Sequence, residues 1–282
     1  MFSRPDNNYN VSDDVIDAIL KDQAHPIFHI VNYVKDGQKI LDIGAGSGVL
    51  ARAILKSKKN VSIDGVEPNR YAANMAANFY RTMLCGYVQE FYAEISEKKY
   101  DIIILADVIE HISDPLEMLK QLMKYIDSST KIFISIPNVA FGGVRLALFN
   151  GSFNYTDSGL LERTHLRFFT RNTADKMFEK LELLTEHLFS LERSFYRVEF
   201  KRTELSASFI SIFKLARLSD ARAYQFLYIL SKEANPEKFS QNIIIHAGTS
   251  FYSIMRDYFF YQSHFVKIYN LALKVIRKIQ NA

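Results

Sequence analysis

The chain has 282 residues, 48% of them hydrophobic and 23% charged, enough to bury one substantial core or a core with a small appended domain. A single cysteine, Cys85, excludes a disulfide-stapled secreted domain, eleven glycines and six prolines exclude a low-complexity chain, and the apolar run Ile102–Ala106 is far too short to span a bilayer. The net charge of +4 permits an acidic or phosphorylated acceptor without pointing to nucleic acid, and the expectation is a cytoplasmic protein with no transmembrane segment.

Residues 1–10 are polar and expected to be loose. Ser12, with Asp13 and Asp14 behind it, reads as an N-cap with acids in the first turn, and Val15, Ile16, Ile19 and Leu20 give the stripe of an amphipathic helix. A second helix is expected over 27–34, stopped at Asp36-Gly37. From Lys39 the pattern changes. Strands over 39–43, 61–66, 84–88, 100–105 and 131–136 alternate with helices over 49–55, 71–80 and 115–125. Lys56, Lys58 and Lys59 suit the negative end of the first of these helices, and Asp114 with Pro115 opens the last. Ile102, Ile103 and Ile104 form a β-branched block suited to burial on both faces. Repeated βα units with short connections predict an α/β fold around a doubly wound, mostly parallel sheet.

Past Pro137 the rhythm breaks. Residues 138–170 are aromatic and glycine-containing without a clean period, which suits a long functional loop or lid. A helix over 170–184 and two late strands over 185–195 and 224–231 bring the expected sheet to seven strands. The chain thus divides into an N-terminal helical segment (1–38), a central domain (39–234) and an aromatic, basic extension (235–282) expected to be helical. In that extension Lys267, Lys274, Arg277 and Lys278 lie among Phe265, Ile268, Leu271, Val275 and Ile279. The pattern leaves open packing on its own domain, a membrane surface or a homo-oligomer.

The strongest local signal is Ile40-Leu41-Asp42-Ile43-Gly44-Ala45-Gly46-Ser47-Gly48. A strand that turns straight into a helix needs glycine where φ is positive or where a ligand approaches the backbone. The dinucleotide fingerprint would require glycine at the position of Val49, and no Lys-Ser/Thr follows the loop, so it is not a P-loop. Glu67 ends the second strand, nineteen residues after Gly48. A carboxylate there can accept from both hydroxyls of an adenosine ribose; the alternative is a solvated strand-end acid.

With these elements the chain resembles class I S-adenosylmethionine-dependent methyltransferases. The resemblance rests on residues 41–48, on Val66-Glu67-Pro68-Asn69, on Tyr100 to Asp107 and on Glu110-His111-Ile112-Ser113-Asp114-Pro115, and runs in order from about 27 to 195. It implies S-adenosyl-L-methionine as cofactor, with Asp42, Gly44, Gly46, Gly48, Glu67, Pro68 and Asp107 around it. Many relatives carry an acid soon after the third strand. Here Tyr87 and Val88 follow Gly86, so contacts to adenine are left unassigned.

Asp107, Glu110 and His111 lie at the carboxyl edge of the sheet, where open α/β sheets bind ligands. Two readings stay open. Glu110 and His111 can orient the loop and satisfy helix amides, or the three can converge on a divalent metal. The second resembles the Glu-x-x-Glu-His arrangement of some metal-dependent O-methyltransferases, with Asp107 in place of the first Glu.

The segment from Ile136 through Gly151-Ser152-Phe153-Asn154-Tyr155-Thr156-Asp157 to Glu162-Arg163-Thr164-His165-Leu166-Arg167-Phe168-Phe169-Thr170 is similar to bacterial methyltransferases of cell-surface polysaccharide assembly. A sugar hydroxyl is a poor nucleophile at neutral pH, so a positioned base would help; His165 is the first candidate and His111 the next. Arg163 and Arg167 can bind a carboxylate or phosphate of the acceptor, or brace the lid against Asp157 or Glu162. The resulting expectation is O-methylation of a sugar or glycan-precursor hydroxyl. The alternatives are another small O- or N-acceptor and a non-catalytic cofactor-binding protein. No nucleic-acid partner is expected, because the basic residues are dispersed.

Overall fold

The computed structural model describes residues 11–57, 60–232, 243–248 and 251–261. The first ten residues, Lys58, Lys59 and the basic stretch from Phe265 to Ile279 lie outside the described residues. Two helices, α1 (Asp13–Ile19) and α2 (Pro26–Tyr33), precede the sheet. Ser12 occupies the cap position of α1 without a side-chain bond, whereas His25 Nδ1 accepts from the Ile27 N–H at 3.2 Å and caps α2. Burial holds the His25 ring at about 4, so it stays neutral and can accept.

Strand and helix then alternate as β1 (Lys39–Ile43), α3 (Val49–Ser57), β2 (Ser62–Val66), α4 (Arg70–Ala76), β3 (Thr82–Leu84), α5 (Tyr92–Lys98), β4 (Ile102–Ala106), α6 (Pro115–Leu122) and β5 (Lys131–Pro137). Beyond β5 come α7 (Gly142–Phe149), α8 (Arg171–Lys180), β6 (Leu184–Glu192), α9 (Phe209–Arg217), α10 (Ser219–Arg222), β7 (Ala223–Ser231), β8 (Ile243–Gly248) and α11 (Phe251–Tyr261). Among these residues no helix is long and apolar enough to cross a membrane.

The strand order is β3-β2-β1-β4-β5-β7-β6-β8. Strands β1 to β5 are parallel, β7 runs antiparallel to both β5 and β6, and β8 is parallel to β6. The doubly wound, mostly parallel sheet is as expected, but it has eight described strands rather than seven. The extra one, β8, lies in the extension expected to be helical: Ile243-Ile244-Ile245 pairs with the outer side of β6 before α11 begins. Bounds differ as well, β6 for one ending at Glu192 instead of 195. The third strand is Thr82–Leu84 instead of 84–88, and α8 stops at Lys180, where Glu182 turns to φ +55°.

Period-two alternation distributes the sheet's side chains between two cores. Ile103 and Leu105 join Leu119, Phe178 and Tyr228 on one face, while Ile102 and Ile104 join Ile30, Ile54 and Leu227 on the other. A third apolar cluster, built around Phe141, Leu160, Phe195, Ile212 and Ile254, joins α9 and α11 to the 138–170 segment and its helix α7.

One buried acid ties the sheet's first half together. The fully buried carboxylate of Asp64 on β2 accepts from Arg81 Nε at 3.0 Å, Tyr100 Oη at 2.8 Å and Lys98 Nζ at 3.2 Å. Burial alone would raise its pKa, but the bonds from Arg81, Tyr100 and Lys98 outweigh it and hold the group at about 2. A depressed carboxylate adds stability that is present above its ordinary value of 3.8 and is lost as pH falls through 2. The urea midpoint should therefore drop as pH is lowered across that window, and Asp64→Asn should flatten this acid limb while lowering stability at neutral pH.

Candidate active site

The order of strands reverses beside β1, which has β2 on one side and β4 on the other, opening a crevice at their carboxyl ends. The glycine loop lines it. Gly44, Gly46 and Gly48 have φ of +78°, +53° and +82°. At Gly44 the requirement is twofold, since a Cβ would also lie 2.5 Å from Val108 Cγ2, in the segment that follows β4. At Gly46 a Cβ would meet nothing within 4 Å, so the main chain faces open space.

Glu67 clamps this loop. One carboxylate oxygen accepts the Gly46 N–H at 2.8 Å and the other the Asn69 N–H at 2.8 Å, while the Gly44 and Ala45 N–H groups donate to Val66 O. A carboxylate has about four lone-pair sites, so two bonds leave acceptor capacity for ribose hydroxyls. Pro68 is exposed beside it, and Asn69 caps α4 by accepting from the Ala72 N–H. Glycine loop, bare main chain and strand-end acid fit an S-adenosylmethionine cradle.

Asp42 is placed differently from the expectation of a ligand contact. Its carboxyl is buried and accepts the Tyr80 hydroxyl at 2.6 Å. Burial pushes it up to about 7 against that bond, with the Glu67 charge adding to the rise. Burial and the neighbouring acid also push the Tyr80 phenol up, which keeps it a donor. Asp42 therefore lies beneath the loop, held by Tyr80, a partner 38 residues away that no local pattern announces.

Asp107 follows β4 with φ +56°, a left-handed conformation uncommon outside glycine. Its N–H donates to Ser135 Oγ at 3.0 Å, and its Oδ1 accepts from Ser135 Oγ at 2.9 Å and from Gln225 Nε2. Ser135 and Gln225 were not foreseen either. The one visible signal for Ser135 was a hydroxyl interrupting the apolar run of β5.

Asp107, Glu110 and His111, a metal set in one of the two readings left open, are not the three that the fold brings together. Asp107 is held by Ser135 and Gln225, and the three residues that converge are Glu110, His111 and His165, with one donor atom of each within 4.8 Å of the others. The reason is the path of the chain: the Leu166 and Arg167 N–H groups both donate to Glu110 O, which lays His165 against His111 with ring centroids 4.8 Å apart. This trio has the donor set for a divalent ion.

Hydrogen bonds fix both imidazoles. His111 Nδ1 lies 3.2 Å from Thr164 O and 3.1 Å from Thr164 Oγ1, whose own proton goes to Glu162 Oε1 at 2.6 Å. His165 Nδ1 lies 3.1 Å from Leu160 O. A carbonyl only accepts, so in both rings Nδ1 carries the proton and Nε2 of the neutral ring carries the lone pair.

The two arginines have separate anchors. Arg163 pairs with Asp157 at 2.8 Å, both exposed, and Arg167 donates to Ser113 O through Nε at 2.8 Å and through Nη2. The 138–170 segment also contains α7, where an irregular loop was expected.

A methyltransferase-domain family profile matches residues 18–188. The chain belongs to the class I S-adenosylmethionine-dependent methyltransferases. The chain is 33% identical over 119 residues to a ubiquinone biosynthesis O-methyltransferase of Aliivibrio fischeri, covering 38% of its own length and 50% of the relative's. It is 26% identical over 118 residues to (S)-tetrahydroprotoberberine N-methyltransferase of Eschscholzia californica, covering 40% and 34% of the two chains. It thus spans a third to a half of the length of these curated relatives. Among solved structures, a SAM-dependent methyltransferase from Archaeoglobus fulgidus superposes with a TM-score of 0.55 at 18% identity, over 81% of this chain and 97% of that one. The plantazolicin methyltransferase BpumL in complex with SAH gives 0.51 at 17%, over 80% and 88%. Both agree with this chain in fold.

Removing the Glu67 carboxylate should loosen the cofactor loop without emptying the core. Glu67→Ala is expected to weaken S-adenosylmethionine binding roughly ten- to hundred-fold, the worth of one charged hydrogen bond. Calorimetry on the folded variant checks this, and unchanged affinity would reject the assignment.

Proposed function

We propose that this methyltransferase methylates a hydroxyl of a sugar or glycan-precursor acceptor, with His165 receiving the hydroxyl proton. What supports the reading is that Thr164 O and Leu160 O each take the Nδ1 proton of an imidazole at the sheet's carboxyl edge, so that Nε2 is the ring nitrogen able to receive a proton. S-adenosylmethionine, when bound, supplies a methyl group on a sulfonium sulfur. The chain's own residues do the rest. Glu67 and the glycine loop hold the donor, and Asp107 flanks it from the end of β4. The 138–170 segment covers the acceptor. His165 Nε2 removes the proton as the new bond forms, a contribution of about 10²- to 10⁴-fold, and alignment of the reacting atoms contributes through proximity. His111 stands next in line as proton acceptor. Arg163 receives an anionic group of the acceptor by exchanging Asp157 for it, and Arg167 does so from its fixed place on Ser113.

The sugar acceptor is supported by the likeness of residues 136–170 to methyltransferases of polysaccharide assembly. The names of the matched relatives support a second reading, another small metabolite methylated at oxygen or nitrogen.

His165→Ala should lower turnover by about 10²- to 10⁴-fold while leaving cofactor affinity in place, and should remove the rising limb of the pH profile. Near-normal turnover with an unchanged profile would move the base elsewhere.

The convergence of Glu110, His111 and His165 supports a metal-dependent variant of the same reaction. It competes with the base, because a bound cation would occupy the Nε2 lone pairs that proton transfer needs. With His165 as base, turnover should survive exhaustive chelation and added magnesium or manganese should not raise it. Loss on chelation and recovery with metal would favour the cation.

A further inference from the structure

We infer that Glu199 is a positioning residue for His165, acting through the main chain of Leu160. The inference rests on the proposed role of His165 and adds what sets that ring's tautomer.

The bonds run in one direction. His165 Nδ1 donates to Leu160 O at 3.1 Å, so the tautomer depends on where that carbonyl points. Leu160 is buried, and packing among Phe141, Phe195 and their neighbours fixes its side chain. Packing does not fix the rotation of the flanking peptides; hydrogen bonds do. Within the segment, Glu162 N–H donates to Gly159 O and Thr156 N–H to Leu161 O. From outside the segment, Glu199 Oε1 accepts the Leu160 N–H at 2.8 Å. The Glu199 carboxylate is itself held by the Tyr224 hydroxyl, which lies 3.2 Å from both of its oxygens. Burial first, and then the Glu199 charge, push the Tyr224 phenol far up, so it remains a donor.

The backbone fits the carboxylate closely. Gly159 has φ +91°, and a Cβ there would come within 2.5 Å of Glu199 Oε1. Glycine is needed both for the conformation and to admit the acid. Beside Tyr224, Gln225 reaches Asp107. One strand end thus supports the acceptor-side histidine and the cofactor-side acid through two adjacent residues.

The test is nitrogen NMR of the full chain labelled at histidine, with the His165 signals identified by their loss in His165→Asn. It needs no acceptor. In the unaltered protein His165 should be the Nδ1–H tautomer. Glu199→Ala should raise the Nε2–H share severalfold, leave the His111 tautomer in place and leave S-adenosylmethionine affinity unchanged. Glu199→Gln keeps an oxygen for the Leu160 N–H and should retain the original tautomer. Gly159→Ala should displace the carboxylate and reproduce Glu199→Ala; it also serves as the test if Glu199→Ala does not fold. His165 remaining Nδ1–H in the folded variant would overturn the inference. A shifted tautomer combined with full turnover of His165→Ala would leave Glu199 as the residue that positions the ring and remove the ring from the chemistry.

Discussion

The glycine loop and the acid–histidine cluster meet where Gly44 passes Val108. Because Gly44 has no side chain, the turn after β1 lies against the segment after β4; any Cβ would be 2.5 Å from a valine methyl carbon. Val108 stands between Asp107 and the short turn Ile109–His111. The close approach therefore sets the distance between the cofactor loop and the acid–histidine cluster. A methyl transfer needs donor and acceptor atoms nearly in contact and in line, and a displacement of about an ångström can cost a hundredfold. The glycine is thus a constraint on geometry before it is a constraint on φ.

Around that contact the sheet edge gathers carboxyl groups, and each is treated differently. Asp42 is buried beneath the loop and pushed towards neutrality, which spares Glu67 a second full charge at close range. Glu67 is held by two main-chain N–H groups. Asp107 takes hydrogen bonds from a serine and a glutamine, which orient its side chain. Carboxyl groups gathered at this edge suit a cofactor that carries positive charge on sulfur.

Local pattern reveals what depends on local chemistry. The alternation of strands and helices from Lys39 to Pro137, the glycine turn and the strand-end Glu67 all follow from neighbours in sequence, and the structure contains them. What was not legible involves contacts across long separations. Gln225 and Asp107 are 118 residues apart, and His111 and Thr164 are 53 apart; no periodicity announces either pair. Helix α7 was hidden for a related reason. It opens on Gly142 and Gly143, poor helix formers, and a Cβ at Gly142 would lie 2.3 Å from the Phe195 ring, so tertiary packing rather than propensity selects them. The metal alternative has the same origin, since spacing placed Asp107 beside Glu110 and His111, while the fold bonds Asp107 to Gln225 across the sheet.

Strand β7 shows how a single antiparallel element can serve both halves of the site. Successive side chains on a strand point to opposite faces, so Tyr224 and Gln225 cannot reach the same partner. Tyr224 goes to Glu199 and, through it, to the turn that holds His165; Gln225 goes to Asp107. The backbone between them is fixed in turn, since Asn138 N–H donates to Tyr224 O and the Asn138 side chain donates to Ala223 O. Asn138 is fully buried at the point where the chain leaves β5 for the 138–170 segment. The same residue therefore fixes the exit of that segment and the strand that supports its histidine, so a shift at either would be felt at the other.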